Sequence, residues 1–228
     1  MFAIARVLEP ATHRILMLLL AMVATSATAA RASTVDEALT DIEQRWAGAV
    51  FESKGRQQNK ALATLLSDVR ELASTHGENP KAVAWHGIIA HECVRNHCKS
   101  NSSSLRREAR DALLKAESLG PGPLRSLVYG NLGGLYAHTS SNFGGFGSKV
   151  RGIGYMWKAI VVDPEGLDAN YLYAELLVDE KRYRDAHDVL LKASTTIVRP
   201  EHERADRGRR AQVLALLRRV ESELGITS

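Results

Sequence analysis

The stretch that decides the fold lies between residues 129 and 193, and it reads Tyr129-x2-Leu132-Gly133-x2-Tyr136, then Asn170-x2-Tyr173-Ala174-x2-Leu177, then Tyr183-x2-Ala186-x3-Leu190-x2-Ala193. Its large residues recur every three or four positions, which is the period of an amphipathic helix. Short side chains such as Gly133, Ala174 and Ala186 interrupt these rows. A short side chain lets two backbones approach closely, so these positions predict contacts between antiparallel helices.

Further fragments of the same pattern occur before this stretch and within it. They read Trp85-x2-Ile88-Ile89, Ala109-x3-Leu113-x2-Ala116 and Gly152-x3-Met156-x2-Ala159. Together the patterns resemble the tetratricopeptide repeat (TPR), in which each unit is a hairpin of two helices. The resemblance implies an all-α fold, a TPR-like α-solenoid of antiparallel helix hairpins.

The repeat spacing also predicts how the chain is divided. We expect three full repeats at about residues 82–121, 126–164 and 167–200. An N-terminal helix pair, at 35–53 and 58–75, precedes them. The end of a repeat array needs a unit with a polar outer face, and we expect a capping helix at 202–224 to supply it.

The first 32 residues have the composition of a signal peptide. Arg6, His13 and Arg14 give a basic start, and the apolar run at 15–23 is too short to span a bilayer as a mature helix. Small residues near Ala30 offer a cleavage site. We therefore expect residues 33–228 to form an exported repeat domain, periplasmic in a bacterium, without stable membrane insertion. An uncleaved membrane anchor is the alternative.

The overall composition excludes some classes of function. The formal net charge is only +4 at neutral pH, and aromatic residues make up 6% of the chain. Nucleic-acid binding usually needs a concentrated basic face, so we expect no nucleic-acid partner. Helical spacing brings no Ser-His-Asp or Cys-His arrangement together, so we expect no enzyme activity and no cofactor.

Cys93 and Cys98 are the only cysteines. On one continuous helix they would face nearly opposite sides, so a disulfide requires the helix to end between them, with Asn96 as a suitable stop. An exported protein permits such a bridge. Two alternatives stay open, namely free thiols and a metal site formed by the two cysteines with His91 and His97.

Residues 140–147 form an insertion that the repeat itself does not require. The insertion contains Phe143, Phe146 and three glycines. We expect the aromatic rings to plug the space between hairpins and the glycines to permit tight turns. A phosphate-binding loop is the alternative, but such a loop follows a strand and carries Lys and then Ser or Thr.

Longer stretches are similar to a family of exported proteobacterial TPR proteins that has no assigned activity. The similar stretches are Tyr129–Tyr136, Phe143–Gly147, Asp163–Tyr173 and the tail from Arg199 to Arg210. A looser similarity is to the periplasmic TPR lipoproteins that accompany TRAP-type transporters. Both resemblances imply an exported helical-repeat protein.

A groove lined by the first helix of each hairpin is the expected functional surface. Its candidate residues are His86, Asn131, His138, Asp168, Asn170, Tyr171 and Glu175. Such grooves bind extended peptides or helices, so the first hypothesis is an adaptor that holds a segment of a protein partner. A ligand-binding accessory of a transport system and a metal- or redox-responsive protein are the alternatives. A further alternative is that the first helix or the protein's own loops block the groove, so that it binds no partner.

Overall fold

The computed structural model describes residues 34–98, 102–142 and 145–226. These residues form helices and turns and contain no strand, which confirms the all-α class. The expected signal peptide, residues 1–32, lies outside the described residues. None of the described helices combines the length and the apolar composition that a membrane crossing needs.

The chain divides into two compact units, Met1–Asp41 and Ile42–Ser228. In the first unit the description begins at residue 34, where helix α1 starts, and α1 continues into the second unit as far as residue 47. A π-helical turn, Gly48–Glu52, follows it. The other helices are α2 (Gly55–Thr75), α3 (Pro80–Arg95), α4 (Ser102–Leu119), α5 (Arg125–His138), α6 (Lys149–Val162), α7 (Leu167–Asp179), α8 (Tyr183–Ser194) and α9 (Glu203–Leu224).

The helices of the second unit pack in neighbouring pairs. The pairs are α3 with α4, α5 with α6, and α7 with α8, while α2 packs on α3 and α9 packs on α7 and α8. The first helices of successive pairs also contact each other, because α5 packs on both α3 and α7. We call the side on which α3, α5 and α7 follow one another the inner face.

Small residues stand where the paired helices come closest. A Cβ atom on Gly133 of α5 would lie 2.9 Å from Met156 Cγ of α6, and one on Gly152 would lie 3.0 Å from the Gly133 oxygen. Such distances are shorter than carbon contacts normally allow, so both positions require glycine. Ala174 and Ala186 are fully buried in the core shared by α7, α8 and α9.

The inserted loop between α5 and α6 packs on its neighbours as expected. The Phe146 ring meets the Tyr136 ring edge-on at 5.6 Å, and the Arg110 guanidinium of α4 lies 4.5 Å from the centre of the Phe146 ring. A Cβ on Gly147 would lie 1.7 Å from a backbone oxygen, so the tight path of this loop needs a glycine there. Phe143 lies outside the described residues.

Candidate ligand-binding cavity

Residues 42–52 occupy one part of the inner face, and we call them the N-terminal segment. The Trp46 ring packs on Trp85 of α3 at 5.3 Å and on Phe51 at 5.4 Å, and it is 2% exposed. Glu43 pairs with His202 at the start of α9. The segment therefore lies between α3 and α9, and this part of the inner face is closed to a partner.

Arg209 of α9 joins the closed part to α7 through contacts with two aromatic rings and a carboxylate. Its guanidinium lies 5.0 Å from the centre of the Phe51 ring and 4.7 Å from that of Tyr171. Its Nε donates to Asp168 Oδ1 at 2.7 Å, and its Nη1 donates to Gln212 at 2.6 Å. The side chain is only 3% exposed, so aromatic faces and a carboxylate take the place of its water.

The remaining part of the inner face is an open cavity of about 440 Å³. It lies where the last turns of α3, α5 and α7 meet α4 and the C-terminal half of α9. This volume falls in the range of small-molecule and peptide side-chain sites. Its charged and polar lining residues are His91, Arg95, His97, Arg106, His138, Thr139, Tyr171, Glu175, Asp179 and Arg219.

His91 lies in the floor of the cavity and is held by a buried amide. The Asn131 amide donates from Nδ2 to the Leu127 carbonyl at 2.8 Å, so its Oδ1 faces His91 Nδ1, also at 2.8 Å. This network assigns the proton to Nδ1 and leaves Nε2 as a hydrogen-bond acceptor. Burial, and then the charge of Arg95, lower the pKa of His91 to about 3, so the imidazole is neutral at ordinary pH.

Gly134 leaves room for the His91 imidazole because it has no side chain. A Cβ on Gly134 would lie 3.1 Å from His91 Cε1 and 3.7 Å from its Nε2. A side chain at Gly134 would therefore crowd the Cε1–Nε2 edge of the ring, and Gly134 and His91 both line the cavity. The two neighbouring glycines thus make room for different side chains. Gly133 makes room for Met156 of α6, and Gly134 makes room for His91.

One wall of the cavity is a network of paired charges. Arg95 Nη2 donates to both carboxylate oxygens of Glu175 at 2.9 Å, and the Tyr171 hydroxyl donates to the same carboxylate at 2.9 Å. Burial and the Glu175 carboxylate raise the pKa of Tyr171, so the phenol keeps its proton. The Glu175 carboxylate in this wall is thus already paired within the protein.

Two other arginines of the cavity have no such partners. Arg106 of α4 and Arg219 of α9 line the cavity, and neither makes an ion pair or hydrogen bond with another described residue. Three arginines face the two carboxylates of Glu175 and Asp179, so the arginines of the cavity outnumber its carboxylates. Two arginine side chains are thus available to a ligand.

A disulfide between Cys93 and Cys98 closes the rim where α3 ends. The Cys98 amide donates to the Cys93 carbonyl at 3.0 Å and the His97 amide donates to the Val94 carbonyl at 3.3 Å, which is the Schellman pattern of a helix C-terminus. That pattern brings the two cysteines together, with their Cα atoms 4.9 Å apart. His97 takes the left-handed conformation (φ 52°) that the pattern requires, at the cavity edge.

The seven candidate groove residues lie in different surroundings. His138, Tyr171 and Glu175 line the open cavity, and Asn131 stands behind it as the hydrogen-bond partner of His91. Asp168 lies in the closed part, against Arg209. Asn170 is buried, and its amide donates to backbone carbonyls in the turn before α7.

His86 lies apart from this face, in the junction of α2, α3 and α4. Its Nε2 is 2.7 Å from Glu108 Oε1, and Arg70 donates to both oxygens of the same carboxylate at 2.6 Å. Burial acts to raise the pKa of Glu108, but the hydrogen bonds from Arg70 and His86 outweigh it and hold that pKa below its ordinary value. His86 is thus part of a structural ion-pair cluster.

Sequence reasoning missed the arginines of the cavity. Arg219 belongs to α9, for which the sequence predicts only a polar capping face, and Arg106 lies near the start of α4. The repeat spacing contains no signal for either residue, because it describes contacts within hairpins and not the path of α9. His91 was singled out only as a possible metal ligand.

Within the described residues, no group of three or more His, Cys, Asp and Glu side chains could hold a metal ion. No known protein family, curated protein or solved structure matches this chain.

Proposed function

We propose that this protein is a non-catalytic, exported adaptor built as a TPR-like α-solenoid, and that it holds a segment of a partner protein on its inner face. The partner segment enters the open cavity and not the full length of the groove, because residues 42–52 occupy the rest. Residues 1–32 direct export to the periplasm in this proposal.

The order of helix packing supports the repeat architecture. Successive pairs pack α3 on α4, α5 on α6 and α7 on α8, and their first helices contact one another, as hairpins of a TPR array do. Close approach at Gly133 and complete burial of Ala174 and Ala186 agree with the small positions of the repeat pattern. These features argue for one kind of unit used three times.

The observation that carries the proposal is the composition of the cavity. The ends of three successive first helices line it, and it presents two unpaired arginines beside apolar residues such as Leu135 and Val178. The chemistry suits binding, since the His91 imidazole is held neutral and is bonded to the Asn131 amide.

Site-specific photocrosslinking in cells tests this proposal. A benzophenone amino acid replaces His138, which lies at the cavity edge and is exposed, in the full chain with its first 32 residues. We expect irradiation to yield a discrete crosslinked species with one partner, recovered from the periplasm, and mass spectrometry identifies it.

A matched control uses the same amino acid at Arg107, an exposed position on α4 that does not line the cavity. The partner band should be absent or much weaker there. Equal bands at both positions, or none at His138 under conditions where the protein is exported, contradict the adaptor proposal.

A second candidate, a small-ligand accessory of a transport system, is favoured by the cavity volume of about 440 Å³. Native mass spectrometry of protein purified from the periplasm separates the two functions. A bound mass of a few hundred daltons supports the second candidate, and the mass of the bare chain counts against it.

A further inference from the structure

The groups in the cavity differ in what they can offer a ligand. Arg106 and Arg219 offer N–H donors and positive charge, and no described residue pairs with them. His91 Nε2 offers a lone pair, and Glu175 has already accepted hydrogen bonds from Arg95 and Tyr171. The two arginines can thus bind an anion, and His91 Nε2 can accept a hydrogen bond from a donor.

The floor cannot take the anion. His91 donates from Nδ1 to Asn131, so only the bare Nε2 reaches the cavity. The pKa of His91, lowered to about 3 mainly by burial, keeps that nitrogen without a proton at neutral pH. A lone pair repels a carboxylate oxygen and accepts from an N–H group, so the ligand must turn its N–H donor towards His91.

We propose that this cavity binds a carboxylate that has an N–H donor close beside it, with Arg106 and Arg219 on the carboxylate and His91 Nε2 accepting from the N–H. An arginine matches a carboxylate through its paired N–H groups, and such charge-assisted bonds are stronger than neutral ones. The C-terminal end of a peptide chain and a free α-amino acid share this chemistry. The inference rests on the proposed function and names the part of the partner that the cavity recognises.

Two bead-bound libraries of random hexapeptides test the inference with the purified full chain. Both are attached through their N-termini, and one ends in a free carboxylate while the other ends in an amide. We expect at least tenfold greater retention on the carboxylate library. Arg106→Ala and Arg219→Ala should each lower that retention about tenfold, because each removes a charge-assisted bond.

Neighbouring arginines supply the matched controls. Arg107 and Arg218 are exposed, follow or precede the two proposed ligands in sequence, and do not line the cavity. Arg107→Ala and Arg218→Ala should retain the binding of the unaltered chain. Loss of binding in these controls as well would indicate a general effect of net charge and would overturn the assignment.

A third arm adds a pool of free amino acids and follows the thermal midpoint of the protein. A shift that needs Arg106 and Arg219, without retention on either library, supports the inference with a free amino acid as the ligand. Equal retention on both libraries overturns it, and so does a failure of all three arms. In either case a crosslink at His138 would leave the adaptor function standing, with a different kind of partner segment.

Discussion

The closed and open parts of the inner face use the same residue types in different ways. In the closed part, Arg209 is fitted between the rings of Phe51 and Tyr171 and bonded to Asp168. In the open part, Arg219 lies on the same helix, α9, and has no partner among the described residues. A buried arginine must have its charge matched within the protein, whereas an exposed one at a cavity is free for a ligand.

This difference indicates which part of the inner face binds a ligand. In the closed part the arginine is matched within the protein, since Arg209 is bonded to Asp168 and lies against two rings, although Trp46 Nε1 is buried without a hydrogen-bond partner. The open part is incomplete, because its arginines outnumber its carboxylates and the His91 ring presents an unused acceptor. Substitutions in the closed part should therefore alter stability, and those in the open part should alter binding.

The largest effect is expected for Arg209→Ala. The change leaves Asp168 without its partner and removes the cation between two rings, so we expect the free energy of unfolding to fall by about 3 kcal/mol. Urea denaturation followed by circular dichroism measures it. Arg219→Ala is the counterpart in the open part, and it should change stability by no more than about 0.5 kcal/mol. Similar losses in both variants would abolish the distinction.

The disulfide at the rim comes next. Replacing Cys93 and Cys98 together by Ala removes a short covalent loop, so we expect the free energy of unfolding to fall by about 2 kcal/mol. The end of α7 has the same hydrogen-bond pattern without a bridge, since Arg182 donates to the Leu177 carbonyl and Lys181 has φ 59°. The pattern alone therefore suffices to end a helix, and α3 should keep its bounds in the variant.

A reductant provides the control for this prediction. It should lower the unfolding midpoint of the unaltered chain to that of the double variant and leave the variant unchanged, with thiol labelling to verify reduction. Complete labelling without any loss of stability would show that the bridge contributes nothing to the rim.

A smaller effect concerns pH and the floor of the open part. His91 has a pKa of about 3 in the folded chain against an ordinary value of 6.5, so the unfolded chain binds a proton that the folded chain does not. Its contribution to stability is complete above pH 6.5 and is lost as the pH falls from there towards 3. Between pH 7 and 5.5 we expect a loss of about 1 kcal/mol.

The variant His91→Gln isolates this contribution, because the other histidines are common to both chains. Arg95, Arg106 and His138 supply the positive charge that acts with burial on the imidazole. The difference in unfolding free energy between the two chains should shrink as the pH falls from 7 to 5.5. A constant difference over this range would mean that the ring is not buried in a neutral form.

Much of the fold could be predicted from the sequence, and the reasons are local. Repeat spacing located the helix pairs within a few residues, and Gly133 marked a close approach because only a missing side chain admits Met156. The same spacing predicted that Asn131 and Asn170 would face a ligand. Both are buried and bonded inside the protein, since a repeat position fixes the side of a helix and not what lies opposite.

The site itself depends on contacts between distant parts of the chain. Residues 42–52 meet α9 across more than half of the sequence, as in the pair of Arg204 with Glu52. No periodic pattern encodes that meeting. The open cavity is what the segment and α9 leave uncovered, so its arginines could be found only from the structure.

The smallest effect is expected from removing glycines, and it tests the cavity floor directly. Gly154 lies on the outer side of α6, where a Cβ would meet no atom within 4 Å, so Gly154→Ala should stabilise the protein by up to about 1 kcal/mol through helix propensity. Gly134→Ala brings the same gain in propensity but places its Cβ 3.1 Å from His91 Cε1, so the ring must shift and part of the gain is lost. The shift should also weaken retention on the carboxylate library, while Gly154→Ala leaves retention unchanged. If both substitutions raise the thermal midpoint equally and both leave binding intact, the imidazole does not lie against Gly134, and the open part has no acceptor in its floor.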